Sequence, residues 1–210
     1  YKALDDIAKE RKLTPEERAE QKTFAKLADS FTPLAKGMGS EFANQNAYDC
    51  IQIHGGSGFM KDYACERIYR DARITSIYEG TTQLQVVAAI RYVTTGAYLN
   101  RIKEYENAIV APEMEGLHNR LKSMASKYAA CVAQVTEAKD QELLDFCARR
   151  LVEMAAYTIM GHLMVQDASK KAELFGTSAQ VFVRYAESEV EKHINFIRKF
   201  DKDDLAYYRK

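Results

Sequence analysis

A single acidic residue among turn-forming neighbours is the best candidate for chemistry in this sequence. Glu79 follows Tyr78 and stands directly before Gly80-Thr81-Thr82, a pattern typical of a helix start. A glutamate there is by default an exposed acid that the helix dipole favours. If ligands buried it, the same carboxylate would become a stronger base, because desolvation disfavours its charged form.

A glycine-rich loop precedes Glu79. Gln52-Ile53-His54 leads into Gly55-Gly56-Ser57-Gly58, where missing side chains would let a ligand approach the backbone closely. The loop follows a predicted helix and has no P-loop lysine, which excludes a dinucleotide-binding fold and a nucleoside-triphosphatase loop. Taken alone, it predicts only a helix C-cap and a turn.

Three segments in a fixed order carry more information than either motif alone. They are Gln52 to Phe59, Glu66 to Arg73 and Ile77 to Gln85, with an interval of 27 positions from Gln52 to Glu79. Together they resemble the C-terminal signature of the acyl-CoA dehydrogenase family, including the usual interval between its flavin-contacting glutamine and its catalytic base.

The resemblance implies a role for each matching residue. Glu79 would remove the α-proton of an acyl-CoA thioester while the β-hydrogen leaves as hydride to the flavin, which gives a trans-2-enoyl-CoA. Tyr78 and Gly80 would lie on the substrate side of that base. The FAD contacts would come from Gln52, Gly55, Gly56, Thr81 and Gln83. Phe59 would pack beside the site, and Arg70, Asp71 and Arg73 would form a structural ion-pair network.

The resemblance also implies partners. The parent enzyme would pass electrons from FAD to an electron-transfer flavoprotein and form a homodimer or homotetramer. Two other classes stay open. One is a flavin-dependent relative, either an acyl-CoA oxidase or a protein of nucleic-acid damage control. The other is a helical interaction module without catalysis.

The surrounding pattern predicts an all-α protein of two helical bundles. Thr14-Pro15 with Glu17 predicts one helix start, and Thr32-Pro33 predicts a second. Residues 55–62 are expected to form a loop, 63–70 a short helix, 71–80 an irregular stretch and 82–95 a further helix. We divide the chain into residues 1–99, an acyl-CoA dehydrogenase C-terminal helical domain, and 100–210, an appended bundle.

The second bundle has strong helical periodicity and no catalytic signature. Apolar residues from Met114 to Val135 form one seam, residues 141–175 are expected to form a long helix, and Val183 to Ile197 form a last stripe. Glu115 and His118 match the Glu-x-x-His motif of di-iron bundles. No second copy exists, so both are expected to be surface residues.

Composition excludes some partners. Thirty basic and thirty acidic residues balance, so nothing favours nucleic acid or an anionic membrane. No apolar run reaches the roughly 20 residues of a membrane span. Four cysteines without a C-x-x-C pair or a leader predict a cytoplasmic protein. Because the chain opens on Tyr1, we expect a piece of a longer enzyme that by itself binds FAD weakly or not at all and lacks activity.

Overall fold

The computed structural model describes residues 2–200 and 202–209, which are mostly helical with no strand among them. The all-α prediction is confirmed. The helices are α1 (Lys2–Glu10), α2 (Pro15–His54), α3 (Gly56–Phe59), α4 (Ala64–Thr75), α5 (Thr82–Thr94), α6 (Ala97–Glu106), α7 (Glu115–Glu137), α8 (Gln141–Lys170) and α9 (Ala172–Lys199), with 3₁₀ turns at Pro112–Met114 and Lys202–Tyr208.

The chain divides into two compact units, residues 1–85 and 86–210. The division falls within α5, whereas the boundary drawn from the sequence falls within α6. The domain boundary near residue 100 stays a prediction.

The first unit is organised around α2, a helix of 40 residues. Its start has the predicted capping box: the N–H of Glu17 donates to the hydroxyl of Thr14 at 3.2 Å, and the N–H of Thr14 donates to the carboxylate of Glu17 at 2.9 Å. These bonds satisfy two of the N–H groups that a helix start leaves without partners. Helices α3 and α4 then pack against the second half of α2.

The predicted helix start at Thr32-Pro33 is wrong, because α2 runs through Pro33 without a break. The hydroxyl of Thr32 donates back to the carbonyl of Ala28 at 2.8 Å instead of capping a new helix. Threonine makes this i−4 bond inside helices as well as the cap bond at their starts. Pro33 itself is buried, so packing maintains a helix that the proline alone would interrupt.

The segment between α2 and α5 is also more helical than the sequence indicated. The predicted loop at residues 55–62 contains the single turn α3, and α4 continues five residues beyond Arg70. Asn44 on α2 stabilises this extension by donating from its side-chain amide to the carbonyl of Ala72 at 3.1 Å. A tertiary contact of this kind leaves no local signal in the sequence.

The second unit contains an up-down-up arrangement of α7, α8 and α9. Arg120 and Lys127 on α7 pair in the same order with Glu187 and Glu191 on α9, so these two helices run parallel. Between α8 and α9 the order reverses: Phe146 stacks on Phe200, whereas Tyr157 meets Tyr185. The apolar stretch from Leu151 to Val165 lies in α8, where most of its residues are buried.

Two predictions for this unit are wrong in detail. The helix expected over residues 141–175 ends at Lys170, and the extended residue Lys171 (φ −146°, ψ 76°) separates it from α9. His118 is buried rather than at the surface, with its Nε2 3.1 Å from the carbonyl oxygen of Glu106. Glu115 one turn earlier is exposed, as expected.

Candidate functional site

Glu79 lies in a tight turn between α4 and α5, and its backbone has a positive φ of 52°. An L-residue in this region costs about 1–2 kcal/mol, because its Cβ approaches the following carbonyl oxygen. Gly80 follows with φ 91°, and an added Cβ there would lie 2.8 Å from the side-chain amide of Gln85. The turn therefore requires glycine at position 80 and holds the glutamate before it in a strained conformation.

Three contacts hold this turn in place. Lys36 on α2 donates from Nζ to the carbonyl oxygen of Gly80 at 2.6 Å. Gln85 on α5 donates from its amide to the carbonyls of Glu79 and Gly80, both at 3.3 Å. The N–H of Thr82 closes the turn on the carbonyl of Ser76 at 3.2 Å.

Both groups of Glu79 that could act on a substrate are available. Its side chain is exposed, and its backbone N–H donates to no other residue in the described part of the chain. An accessible carboxylate beside a free N–H can accept a proton and polarise a nearby carbonyl.

A cleft of about 520 Å³ opens beside this turn within the first unit. Thr81 and Gln83, two of the predicted FAD contacts, line it. Thr81 also caps α5, since its hydroxyl accepts from the N–H of Leu84 at 3.3 Å. Glu41 on α2 contributes a carboxylate that accepts from the hydroxyl of Thr82 at 2.6 Å.

The other predicted FAD contacts lie at the end of α2. Gln52 is exposed and donates from its amide to the hydroxyl of Tyr48, which lines the cleft, at 3.0 Å. Gly55 and Gly56 are exposed, and a Cβ added to either would meet no atom within 4 Å. The loop thus offers backbone that a ligand could approach directly.

Some side chains expected to pack around the site are open to solvent in this chain. Tyr78 and Phe59 are 50% and 78% exposed. The expected ion-pair network is only partial: Arg70 lies 3.8 Å from Glu66, and Asp71 forms no ion pair within residues 2–200 and 202–209.

Lys36 and Glu41 are site residues that the sequence did not indicate. Both lie on the helix before the glycine loop, some forty residues upstream of the turn that they hold. A lysine and a glutamate on a polar helix face are ordinary surface residues by composition. Only the packing of α2 shows that they bind the Glu79 turn.

Two family models match nearly all of the chain. One, described as "Acyl-CoA dehydrogenase, C-terminal domain", matches residues 9–93, and the other, "Acyl-CoA dehydrogenase C terminal", matches residues 94–205. The chain belongs to the acyl-CoA dehydrogenase family. The family resemblance read from the Gln52, Glu66 and Ile77 segments is thereby confirmed.

Relatives match the chain over short regions at high identity. An acyl-CoA dehydrogenase of Bacillus subtilis is 46% identical over 63 residues, which are 30% of this chain and 17% of that protein. The caffeyl-CoA reductase–Etf complex subunit CarC of Acetobacterium woodii is 47% identical over 60 residues, 29% of this chain and 16% of that protein. The chain thus matches less than a fifth of the length of these relatives.

Two solved structures are also similar. An acyl-CoA dehydrogenase family protein from Porphyromonas gingivalis has 46% sequence identity and a TM-score of 0.52, with 54% of this chain and 98% of that chain covered. An acyl-CoA dehydrogenase from Bacillus anthracis complexed with FAD has 22% identity and a TM-score of 0.65, covering 84% of this chain and 34% of that one. The second likeness shows the fold alone.

No helix in the described part of the chain is both long enough and apolar enough to cross a membrane.

Proposed function

We propose that this chain is the C-terminal part of an FAD-dependent acyl-CoA dehydrogenase in which Glu79 removes the α-proton of the acyl-CoA. The observation that carries the proposal is the strained conformation of an exposed glutamate in a tethered turn, with Ile77 and Thr81 on either side of it lining a cleft. Backbone strain that surrounding contacts maintain is concentrated at functional sites, where it pre-organises a group. Lys139 shares a positive φ, but it lies in a plain turn between α7 and α8.

Glu79 supplies two groups to the reaction. Its carboxylate takes the α-proton, and its free N–H polarises the thioester carbonyl, which stabilises the enolate-like charge that develops as the proton leaves. When bound, FAD supplies the two-electron acceptor that takes the β-hydrogen as hydride. The product is a trans-2-enoyl-CoA.

The residues assigned to FAD fit a large polar cofactor. Gln52 and Gln83 present exposed amides, Thr81 presents a hydroxyl at the cleft, and the Gly55-Gly56 backbone is unobstructed. Amides and hydroxyls of this kind hydrogen-bond the phosphates, sugars and ring edges of a dinucleotide. On the substrate side, Tyr78 and Gly80 flank the base.

Partners and location complete the proposal. The reduced enzyme passes its electrons to an electron-transfer flavoprotein, an assignment supported by the name of the A. woodii relative as a subunit of an Etf complex. We further propose a cytoplasmic enzyme that assembles as a homodimer or homotetramer. An acyl-CoA oxidase would differ from the proposed dehydrogenase only in its electron acceptor. Turnover with oxygen in place of the electron-transfer flavoprotein would indicate the oxidase.

The test is Glu79→Gln in the full-length protein. The amide keeps the shape of the side chain but cannot take a proton, so bleaching of the flavin absorbance by acyl-CoA under anaerobic conditions should slow about 100-fold to 10,000-fold. FAD content should be unchanged, because Glu79 is not among the FAD contacts.

Asp71→Asn is the matched control, since Asp71 is exposed, near in sequence and in no ion pair with a described residue. It should bleach at the wild-type rate. Equal rates for Glu79→Gln and wild type would remove Glu79 from the mechanism and favour a helical interaction module without catalysis.

A further inference from the structure

Two cysteines and a histidine converge where α2 and α4 meet. Cys50 and His54 lie one turn apart at the end of α2, and Cys65 lies in the first turn of α4. The sulfurs of Cys50 and Cys65 are 3.6 Å apart, and the sulfur of Cys50 is 3.8 Å from Nδ1 of His54. The three ligand atoms all lie within 4.8 Å of one another.

The Cys50–Cys65 and Cys50–His54 separations are close to those between ligands of one tetrahedral metal ion. With Zn–S near 2.3 Å and Zn–N near 2.0 Å, two sulfurs on a tetrahedral zinc lie about 3.8 Å apart, and a sulfur and a nitrogen about 3.5 Å. Two thiolates and an imidazole form a soft ligand set that favours zinc over magnesium or calcium.

We propose that Cys50, His54 and Cys65 bind one thiophilic cation of the Zn²⁺ class, which clamps α2 to α4 beneath the glycine loop. Cys65 is buried, Cys50 is half-buried and His54 is exposed, so an ion can enter from the His54 side and take water as a fourth ligand. The last turn of α2 also carries the negative end of the helix dipole, which favours a cation there.

Binding requires local adjustments. Nδ1 of His54 lies 2.8 Å from the carbonyl oxygen of Cys50, and ligation through Nδ1 replaces that hydrogen bond. Burial, and then the neighbouring Cys50 sulfur, raise the pKa of the Cys65 thiol. A cation must therefore displace the thiol protons, as zinc does when it binds cysteine.

Metal binding at this site would restrict the conformational freedom of the glycine loop. The ion would join residues 50 and 65 and enclose α3 with Gly55 and Gly56, two of the residues that we assign to FAD. A cross-link across a short loop reduces the freedom of everything inside it. The inference does not depend on the proposed function, since it concerns metal binding by the chain itself.

The experiment uses the 210-residue chain, reduced and stripped with a chelator, and titrates it with Co²⁺ as a spectroscopic probe. One equivalent should produce a thiolate-to-cobalt charge-transfer band and the intense visible bands of tetrahedral cobalt, and Zn²⁺ should abolish both. Cys50→Ser, Cys65→Ser and His54→Gln should each weaken binding by at least the roughly 10-fold that loss of an outer-shell partner costs.

Cys147→Ala is the matched control, because it removes a buried thiol of the second unit and should leave the cobalt spectrum unchanged. His54 is exposed, so its variant tests the site even if a cysteine variant folds poorly. The proposal is overturned if the wild-type chain gives no charge-transfer band, if His54→Gln and Cys65→Ser bind cobalt like wild type, or if Cys50 and Cys65 form a disulfide in air while the reduced pair ignores metal.

Discussion

At Glu79, the sequence predicts the type of group and its place at a helix start, and the structure adds its backbone conformation and contacts. Its type, its position before Gly80 and its interval from Gln52 were enough to predict a base at a helix entrance. The positive φ at Glu79 and the bond from Lys36 to Gly80 could not be predicted, because both depend on how α2 packs on the turn. The roles of these residues in catalysis remain predictions.

His162 is the residue of the second unit with the clearest pH dependence. It is 1% exposed, and neither ring nitrogen has a hydrogen-bond partner within the described residues. Burial, and then the neighbouring His118 and Lys122, lower the pKa of His162 to about 4. The unfolded chain takes up a proton near pH 6.5, so the free energy of unfolding falls as pH drops from 6.5 toward 4.

We therefore expect acid to destabilise the wild-type chain more than a His162→Leu variant. Between pH 7 and pH 5 the difference should be about 2 kcal/mol, measured by urea unfolding at both pH values. Identical pH profiles for wild type and His162→Leu would show that this ring is not the source of the acid sensitivity.

At the scale of helices, the sequence predicts periodic elements well and interruptions poorly. The seam from Met114 to Val135 and the capping box at Thr14 appear as predicted, because each depends on neighbouring residues alone. Pro33 and Lys171 are the opposite cases. A buried proline is tolerated within α2, and a lysine with no turn signature separates α8 from α9, so packing outweighs local preference at both sites.

The close contact between α3 and α2 predicts that the glycine loop does not tolerate a side chain at Gly58. A Cβ on Gly58 would lie 2.7 Å from the carbonyl oxygen of Ile51 and 2.9 Å from Cβ of His54. Gly58→Ala should therefore push α3 away from α2 and cost about 1–3 kcal/mol, the usual range for overpacking. Hydrogen exchange across residues 51–65 and urea unfolding measure this effect.

Gly56→Ala is the paired control, since an added Cβ there meets no atom within 4 Å. It should change stability by no more than about 0.5 kcal/mol, as for other open surface positions. Equal protection from exchange in the two variants would mean that the close approach at Gly58 does not hold α3 in place.

The first unit exposes large apolar side chains in the same segment as the proposed FAD contacts. In the first unit, Ile53 is 84% exposed and Phe59 is 78% exposed, while the proposed FAD contacts lie on an open loop and an open cleft. Ligand sites bury most of a bound molecule, usually 70–90% or more of its surface. One open side of a site cannot achieve this, so the proposed FAD site requires further protein surface.

The chain alone should therefore retain no flavin and no dehydrogenase activity. After mixing with FAD and desalting, its visible absorbance should be that of the apoprotein, whereas the full-length enzyme treated in the same way should keep its yellow colour. A stoichiometric flavin spectrum from the 210-residue chain would show that the site is complete without the rest of the enzyme.

Because α2 is unbroken from Pro15 to His54, it is a rigid helix about 60 Å long that fixes the spacing of the residues along it. Lys36 and Glu41 hold the Glu79 turn near the middle of the helix and Gln52 lies near its end, so helical rise sets the distance between the proposed base and the proposed FAD contact. Deleting one residue between Glu41 and Gln52 would swing the glutamine about 100° around the axis. Spacing along this helix should therefore tolerate substitutions but not changes in length.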